Sequence, residues 1–298
     1  MGEPDWLTAG FEQNRTRLRA VAYRMLGSLA EAEDAVQEAW LRLSRADTRG
    51  VDNLGGWLTT VVARVCLNVL RSRNTRREEL VGVHVPDPVI GRADGTSPSP
   101  EDEVLLADSV GLALQVVLET LGPAERLAFV LHDMFGLPFE EIAPVVGRPA
   151  ATARQLASRA RRRVRGAEVS AADADTGRQR EVVDAFFAAA HEGDLGALVA
   201  VLDPDVVLRS DAGPARPDRS AVVRGADQVA GRAVMFARPT TVLVPVLVNG
   251  VAGVVVKVAG EPVSVMGFSI TGSKITEIYA LADPDRLRNL NLNLIALT

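Results

Sequence analysis

A run of arginines near the middle of the chain is the group of side chains best suited to a chemical task. Residues 147–166 contain seven arginines and no acidic residue. Guanidinium groups donate paired hydrogen bonds that fit phosphate oxygens and the edge of guanine, so the run suits contact with duplex DNA. The alternative interpretation is a solvated basic helix on the surface of an ordinary helical bundle.

The spacing of apolar residues around the arginines predicts a helix, a turn and a second helix. Phe139, Ile142 and Val146 lie on one helical face, and Gly147 supplies the turn. In a helix-turn-helix, the early positions of the second helix usually meet bases, and the later arginines meet phosphates. The predicted DNA-contacting residues are Arg148, Thr152, Arg154, Gln155, Ser158, Arg159 and Arg162.

A second group of side chains is acidic and lies on a predicted helix between Ala30 and Leu43. Three carboxylates on this helix are spaced three and four residues apart, so they share one face. The residues of this acidic face are Glu31, Asp34 and Glu38, with Gln37 beside them. Such a face suits a basic protein partner, because charge pairing favours partner choice and a fast encounter. The alternative is an acidic face that only contacts solvent.

Length and composition limit the classes of protein that the chain can belong to. A length of 298 residues predicts about two domains, or three small ones, and a hydrophobic fraction of 47% is ample for folded cores. The single cysteine, Cys66, excludes a disulfide framework and a cysteine-rich zinc site, and we expect neither a metal nor a cofactor. Because no apolar run is long enough to span a bilayer or resembles a signal peptide, we expect a cytoplasmic protein without a membrane partner.

The charges are segregated along the chain. The formal net charge is −5, but residues 1–77 carry +3, residues 78–121 carry −8, residues 122–166 carry +4 and residues 178–298 carry −1. Binding to DNA depends on the local basic patch and not on the total charge. The two basic segments are therefore compatible with nucleic acid even though the whole chain is acidic.

The chain divides into three predicted domains and two linkers. Apolar stripes at helical spacing make residues 11–77 and 101–166 all-helical domains. Residues 78–100 form a linker because proline and glycine recur in them, and residues 167–177 form a second short linker. Residues 178–290 form the last domain, in which helices are followed by four strands rich in β-branched residues.

The pattern of the last domain predicts an α+β fold with a curved sheet wrapped over the helices. The predicted elements are two helices within residues 178–200, a helix over 226–236, and strands over 241–248, 251–258, 263–270 and 274–281. Such folds tend to be hollow, so we expect room for a small apolar ligand. We do not expect an enzyme, because Lys257, Ser264 and Glu277 are the few polar residues on these strands.

Three stretches of the helical part resemble segments of bacterial sigma factors, the subunits that direct RNA polymerase to promoters. The stretch from Ala30 to Leu43, AEAEDAVQEAWLRL, resembles the helix that binds core polymerase. The stretch from Gly55 to Arg77 resembles the segment that reads the promoter −10 element, and residues 121–165 resemble the segment that reads the −35 element. Two such regions joined by a short linker are the layout of the extracytoplasmic-function (ECF) group.

This resemblance implies roles for individual side chains. The acidic face on the second helix is implied to dock on a basic coiled coil of the polymerase clamp. The third helix and the loop before it are implied to hold the melted non-template strand, with Asp52 and Asn53 in a pocket for a flipped base. The third-helix residues with this implied role are Thr60, Arg64, Asn68, Arg71 and Arg73.

The last domain resembles SnoaL-like domains, a branch of the fold shared with nuclear transport factor 2 and ketosteroid isomerase. Residues 193–211 and 222–230 carry this resemblance together with the closing strands. Some ECF sigma factors carry such a domain at the C-terminus, where it takes the place of a separate anti-sigma protein. Two motifs of these proteins are altered here, at residues 84–86 and 211–214. Their tail motif resembles the run Asp283, Pro284, Asp285, Arg286 and Leu287.

These features predict a multidomain protein in which two all-α sigma domains, the second a helix-turn-helix, precede an α+β, cone-shaped SnoaL-like domain. The predicted function is a sigma factor that binds core RNA polymerase and promoter DNA and is regulated in cis by its last domain. The alternative is a one-component DNA-binding regulator whose last domain senses a ligand. That alternative leaves the acidic second helix and the basic third helix unexplained.

Overall fold

The structure is a computed structural model that describes residues 3–46, 53–76, 83–94, 111–166, 175–237, 240–290 and 292. The chain folds as two compact units. The helical unit contains residues 1–81 and 115–169, and the sheet unit contains residues 82–114 and 170–298. The segment between the two predicted sigma regions therefore belongs, by its contacts, with the C-terminal domain.

Three helices form the first part of the helical unit. They are α1 (Glu3–Leu26), α2 (Leu29–Leu43) and α3 (Leu54–Arg76). α1 ends at Gly27, which has a left-handed φ of 71° and whose N–H donates to the carbonyl of Tyr23. Ser28 begins α2 by accepting a hydrogen bond from the N–H of Glu31 at 3.4 Å. The predicted apolar stripes of the three helices are buried against one another.

The second part of the helical unit contains the predicted helix-turn-helix. Its elements are α4 (Leu112–Glu119), which belongs to this unit from Gln115 onward, α5 (Pro123–Phe129) with a π-helical continuation (Val130–Met134), α6 (Phe139–Val146) and α7 (Ala150–Gly166). Gly147 makes the turn with a φ of 72°, a conformation that side chains with a Cβ rarely adopt. Ala153, Ala157 and Ala160 are fully buried, so the arginines of α7 are left on its outer surfaces. The helix-turn-helix prediction is confirmed.

The sheet unit combines helices with one seven-stranded sheet. In chain order its elements are β1 (Ile90–Arg92), α8 (Thr176–Glu192), α9 (Leu195–Val201), β2 (Leu202–Asp211), β3 (Ala221–Arg224), α10 (Ala226–Phe236), β4 (Thr241–Val248), β5 (Val251–Val258), β6 (Glu261–Thr271), β7 (Lys274–Leu281) and α11 (Pro284–Asn289). The strand order is β1-β4-β5-β6-β7-β2-β3. The predicted α+β class and the antiparallel meander from β4 to β7 are confirmed.

Two features of the sheet differ from the sequence prediction. β2 pairs with β7 in parallel, and β3 is an edge strand at residues 221–224, for which the sequence predicted no strand. Both pairings join segments that are distant in sequence or separated by a proline-rich loop, so local patterns do not reveal them. One face of the sheet packs against α8, α9 and α10 in a single apolar core.

Polar side chains hold α8 on the sheet. The guanidinium of Arg180 donates to the carbonyls of Gly253 and Val246 at 3.0 and 2.8 Å, and burial lowers the pKa of this group. Next to it, the buried side chain of Gln179 accepts a hydrogen bond from the N–H of Ala252 at 3.1 Å. These bonds satisfy main-chain groups of β4 and β5 at the helix contact, where they would otherwise be costly to bury.

Part of the predicted first linker is a strand of this sheet. β1 pairs antiparallel with the end of β4, with Ile90 opposite Val248 and Arg92 opposite Val246. Asn249 extends the pairing, since its side-chain oxygen accepts from the N–H of Val89 at 3.1 Å and its own N–H donates to the Val89 carbonyl at 2.8 Å. We expected residues 78–100 to be a plain connector. Their described part, residues 83–94, instead includes an edge strand, because main-chain groups can pair with a sheet edge whatever the side-chain pattern.

Candidate functional site

The acidic face of α2 is partly exposed. Asp34 and Gln37 are exposed, and Glu38 is half-buried and accepts a hydrogen bond from Nε of Arg42 at 2.9 Å. The opposite face of α2 is fully occupied by the core, which fixes the direction of these side chains. The helix therefore presents carboxylate and amide groups on one accessible surface.

Glu31 differs from the rest of the predicted acidic face. Its carboxylate forms an ion pair with the guanidinium of Arg73, and the same guanidinium donates to the carbonyl of Leu26 at 2.9 Å. The sequence assigned Glu31 to a protein partner and Arg73 to DNA. In the structure these two side chains contact each other and join α2 to α3 at the end of α1.

One residue of the α2 surface was missed by the sequence reasoning. Leu41 is 43% exposed and lies three residues after Glu38 and seven after Asp34, so it shares their face. Leu41 adds an apolar group to this acidic surface, and single exposed apolar residues of this kind are common on soluble proteins. Its position seven residues after Asp34 was the sequence signal that could have identified it.

The predicted −10 residues are carried on α3 with different degrees of exposure. Arg64, Asn68 and Arg71 are exposed, and Thr60 is half-buried. Asn53 caps the helix, with its side-chain oxygen accepting from the N–H of Gly56 at 3.0 Å. The other predicted pocket residue, Asp52, lies outside the described residues.

The predicted −35 residues lie along the accessible side of α7 and the turn before it. All of them are exposed except Thr152, which is half-buried; the exposed ones are Arg148, Arg154, Gln155, Ser158, Arg159 and Arg162. The helix begins after Pro149, so its first N–H groups are near Thr152. The arrangement leaves polar and cationic groups on the surface that a DNA groove would meet.

Several arginines of α7 also contact acids of the same unit. Arg161 donates to Asp133 at 2.6 Å, and Arg163 donates to Glu125 at 2.7 Å. The second acid also lies 4.0 Å from Arg159. These contacts join α7 to α5 and its π-helical turn, so the arginine run both supports the helix and supplies the exposed surface.

Three separate sequence segments meet at Arg286 in the predicted tail motif. Its guanidinium donates to Asp87 at 2.7 Å, to Asp211 at 2.8 Å and to the carbonyl of Val85 at 2.5 Å. The N–H of Val85 in turn donates to the Asp211 carboxylate at 3.0 Å. This group of four residues, the Arg286 cluster, joins the first linker, the end of β2 and α11.

The carboxylate of Asp211 accepts hydrogen bonds from several groups in and around this cluster. Burial by itself would raise its pKa, but bonds from His84, from the N–H groups of Val85 and Gly213 and the charge of Arg286 together hold its pKa below the ordinary 3.8. The folded state therefore gains stability from Asp211 that is complete above the ordinary pKa. That stability is lost as the pH falls through the lowered value.

The remaining tail residues build the short helix that carries Arg286. Asp283 caps α11 by accepting from the N–H of Asp285 at 2.9 Å, Pro284 takes the first helical position, and Leu287 is buried. Asp285 itself is exposed and pairs with Arg288. The tail motif thus has a structural role, because its residues build the short helix that positions the guanidinium of Arg286.

Three aromatic rings form a group within the largely aliphatic core of the sheet unit. Phe186, Phe187 and Phe268 contact one another with ring centres 5.2 to 6.0 Å apart. Glu277, on β7, accepts a hydrogen bond from Tyr279, and burial raises the pKa of that tyrosine, so its hydroxyl stays protonated. Within the described residues, no group of three or more His, Cys, Asp or Glu side chains is arranged to hold a metal ion.

Comparisons with known proteins assign the chain to a family. Residues 11–76 match the family Sigma-70 region 2, and residues 111–164 match Sigma-70, region 4. The Mycobacterium tuberculosis protein named "Probable ECF RNA polymerase sigma factor SigI" is 40% identical over 99% of both chains. This chain belongs to the ECF sigma factors of RNA polymerase.

A second relative supports the assignment for the three-dimensional structure. The ECF sigma factor SigJ of M. tuberculosis is 45% identical over 74% of this chain and 69% of its own length. The crystal structure of SigJ has a TM-score of 0.75 to this sigma factor, at 36% identity, over 96% of this chain and 99% of that chain. The predicted order of region 2, region 4 and a C-terminal helix-and-sheet domain is therefore confirmed. Among the described parts of this sigma factor, no helix is long and apolar enough to cross a membrane.

The Arg286 cluster generates a prediction about stability. We expect Arg286→Ala to lower the free energy of unfolding of the sheet unit by about 3 kcal/mol or more, because it leaves two buried carboxylates without their cation. The measurement is denaturant unfolding followed by far-UV circular dichroism. Trp6, Trp40 and Trp57 all lie in the helical unit. Their fluorescence therefore reports the unfolding of the helical unit and not that of the sheet unit.

The matched control is Arg288→Ala on the same helix. Arg288 pairs only at the surface with Asp285, with exposed fractions of 73% and 78%, so its loss should change the free energy by less than about 0.5 kcal/mol. Equal effects of the two substitutions would contradict the role of the cluster.

Proposed function

We propose that this sigma factor binds core RNA polymerase through α2, contacts the −10 element through α3 and the −35 element through α7, and is regulated in cis by its sheet unit. Two observations together carry the proposal. An accessible acidic face and an accessible arginine face occur in one compact helical unit. The chain also aligns with an ECF sigma factor over 99% of its length. A regulator that bound DNA alone would have no use for the acidic face.

The surface proposed for polymerase is the exposed part of α2. Asp34, Gln37 and Glu38 provide charge and hydrogen-bond acceptors, and Leu41 provides an apolar contact beside them. Acidic side chains around an apolar residue combine fast encounter with a contact that excludes water. Glu31 takes a positioning role through its ion pair with Arg73.

The surfaces proposed for DNA are those of α3 and α7. Arg64, Asn68 and Arg71 are exposed along α3, where they can follow the backbone of a single strand. On α7, Gln155 and Ser158 are in the early and middle part of the helix and suit base edges, while Arg162 suits phosphate. Both the −10 and the −35 assignments rest on exposure and side-chain chemistry.

Regulation in cis is supported by the position of the linker. The chain between region 2 and region 4 is bound into the sheet unit by β1, by Asn249 and by the Arg286 cluster, and Val85 and Val89 are buried there. A domain that holds the connection between two DNA-reading regions limits the positions that these regions can take. We propose that this restraint lowers transcription until the linker is released.

The sheet unit is proposed to act as a regulatory domain without catalysis, in a cytoplasmic protein. Glu277, one of the few polar residues on its strands, is engaged in an internal hydrogen bond from Tyr279. A small apolar ligand would have to displace or rearrange Phe187, which is only partly buried against the core, and this side chain is the proposed entry point.

Binding of core polymerase tests the acidic surface. We expect the double substitution Asp34→Lys/Glu38→Lys to weaken binding of the full chain to core polymerase by at least tenfold, because it reverses two charges at the proposed contact. The measurement is a titration of labelled core polymerase with purified sigma factor at fixed ionic strength.

The control carries the same charge reversal elsewhere. Glu181 and Asp184 are exposed, three residues apart, on α8 of the sheet unit, so Glu181→Lys/Asp184→Lys should leave the affinity for core polymerase unchanged. If both double variants bind core polymerase like the original chain, the acidic surface is not the contact.

Salt dependence of DNA binding tests the arginine surface. We expect Arg162→Ala to reduce the slope of log affinity against log salt by about 0.9, the value for one phosphate contact, on any duplex. The comparison is Arg163→Ala. Because the guanidinium of Arg163 already bonds Glu125, we expect its removal to change the slope of log affinity against log salt by less. Filter binding or fluorescence anisotropy across a salt series gives both slopes, and identical slopes for all three proteins would refute the assignment.

Transcription in vitro tests the restraint by the linker. Asn249 has a φ of 50°, which glycine accepts easily, so Asn249→Gly keeps the turn but removes the acceptor of the buried Val89 N–H. We expect this variant to direct several-fold more transcript with core polymerase, on a promoter where the original chain is active.

The control for this experiment is the same kind of substitution at a different hairpin. Ser273 has a φ of 70° in the exposed turn between β6 and β7, so Ser273→Gly should leave transcript levels unchanged. An Asn249→Gly chain that is folded and transcribes at the original level would show that the linker restraint does not regulate.

A further inference from the structure

The guanidinium of Arg154 on α7 lies against two neighbouring side chains of α6. Its Cζ atom is 5.2 Å from the centre of the ring of Phe139, the first residue of α6. A cation is attracted to the face of an aromatic ring when it lies within about 6 Å of the ring centre. The carboxylate of Glu140, the next residue, lies 3.9 Å from the same guanidinium. The first helix of the helix-turn-helix therefore contacts one particular arginine of the second.

The ring of Phe139 is itself held in place. It is 7% exposed, and the imidazole of His132 stacks on it, with the ring centres 3.9 Å apart and 29° between the planes. Nδ1 of His132 donates to the carbonyl of Leu137 at 2.9 Å, since a carbonyl can only accept. His132 lies in the π-helical turn Val130–Met134, a type of local irregularity that is frequent at functional sites. The support of the Phe139 ring thus comes from outside α7.

Arg154 has the position of a residue that reads a base. It is the fifth residue of α7, and the early residues of the second helix are those that reach base edges in a helix-turn-helix. Its side chain is 62% exposed, so the contact with the ring leaves donor groups accessible. Arginine reads guanine through two parallel hydrogen bonds to O6 and N7, and this geometry requires one orientation of the guanidinium plane.

An arginine that must adopt one orientation benefits from support before DNA arrives. A long charged side chain loses much rotamer freedom when it is immobilised, and this loss weakens binding. The contacts of Arg154 with α6 remove part of that loss in the free chain. Within the described residues, Arg162 has no ion pair or aromatic contact of this kind. A phosphate contact such as the one proposed for Arg162 carries no direct sequence information.

We propose that Phe139 is a positioning residue for recognition of the −35 element, and that its ring, supported by His132, orients the Arg154 guanidinium for paired hydrogen bonds to one guanine. The inference rests on the proposed function and deepens it. It names the base that α7 reads and a residue outside α7 on which the reading depends. Phe139 acts through Arg154 and makes its contribution to specificity, not to the total attraction for DNA.

The test measures base preference at each position of the −35 element. Holoenzyme is assembled from core polymerase and the full chain, and it transcribes a library of templates built on a promoter where the original chain is active. The −35 bases of the library are randomised, and each template carries a barcode in its transcribed part. Sequencing of the transcripts then gives the relative yield for each base at each position.

The expected result is a loss of preference at a single position. Arg154→Ala should abolish the preference for guanine there. Phe139→Leu keeps an apolar side chain in the buried site but removes the aromatic face, so it should lower the same preference about two- to fivefold. The preferences at the other positions should not change. Phe139→Tyr retains the ring and should retain the preference.

The matched control is Phe129→Leu on α5. Phe129 is also 7% exposed, so the same substitution disturbs an equally buried site. None of the cation–π contacts of the described residues involves its ring. We expect Phe129→Leu to leave the guanine preference unchanged, because any effect on the stability of region 4 changes the yield from all templates alike.

Three outcomes would overturn the proposal. In the first, Phe139→Leu keeps the full preference at the position that Arg154→Ala affects. In the second, Phe139→Leu and Phe129→Leu weaken all positions to the same extent, which is the behaviour of a purely structural residue. In the third, no guanine preference of the original chain depends on Arg154. An original chain without any preference among −35 bases would instead contradict the proposed function of α7.

Discussion

The guanidinium of Arg286 holds together parts of the chain that no local pattern connects. It faces two buried carboxylates and one main-chain carbonyl, and the segment between regions 2 and 4 has its position through these bonds. Burial of Val85, Val89 and Ile90 supplies apolar stabilisation of about 1.5–3 kcal/mol for each fully buried side chain. The ion pairs of Arg286 add little to the net free energy of folding, because the charged groups must lose their hydration when they are buried. Instead they help to position the linker, because Arg286 bonds Asp87 and the Val85 carbonyl of the linker and Asp211 of β2 at the same time.

Glycine has a direct part in this arrangement. Gly213 follows Asp211 with a φ of 80°, and a Cβ at this position would overlap the carboxylate of Asp283, the cap of α11. The glycine therefore lets the end of β2 approach the helix that carries Arg286. An altered family motif at residues 211–214 retains the two features that the contact needs, a carboxylate and a residue without a side chain.

The sequence predicted the elements whose information is local. The helix over 226–236, the strands over 241–248, 251–258 and 274–281, and the turn at Gly147 were all predicted within a residue or so, because periodicity and glycine placement determine them. The parallel pairing of β2 with β7 and the capture of residues 90–92 by the sheet depend on contacts between distant segments, so neither was expected. The same limit applies to the surfaces. The spacing of residues along a helix predicts that groups such as Asp34 and Arg162 lie on an exposed face. The ion pair of Glu31 with Arg73 depends instead on how α2 and α3 pack against each other.

Capture of the linker also has a consequence for colloidal behaviour. β1 covers the end of β4, whose sequence TVLVPVLV is apolar after its first residue and has five β-branched residues among its eight. When the linker leaves, this strand becomes an open sheet edge, which is the kind of surface on which chains add to one another and form aggregates. Pro245, in the middle of the strand, has no N–H to offer and interrupts such growth. If the linker is released, the open edge of β4 favours association between chains, and recapture of β1 by the sheet covers that edge again.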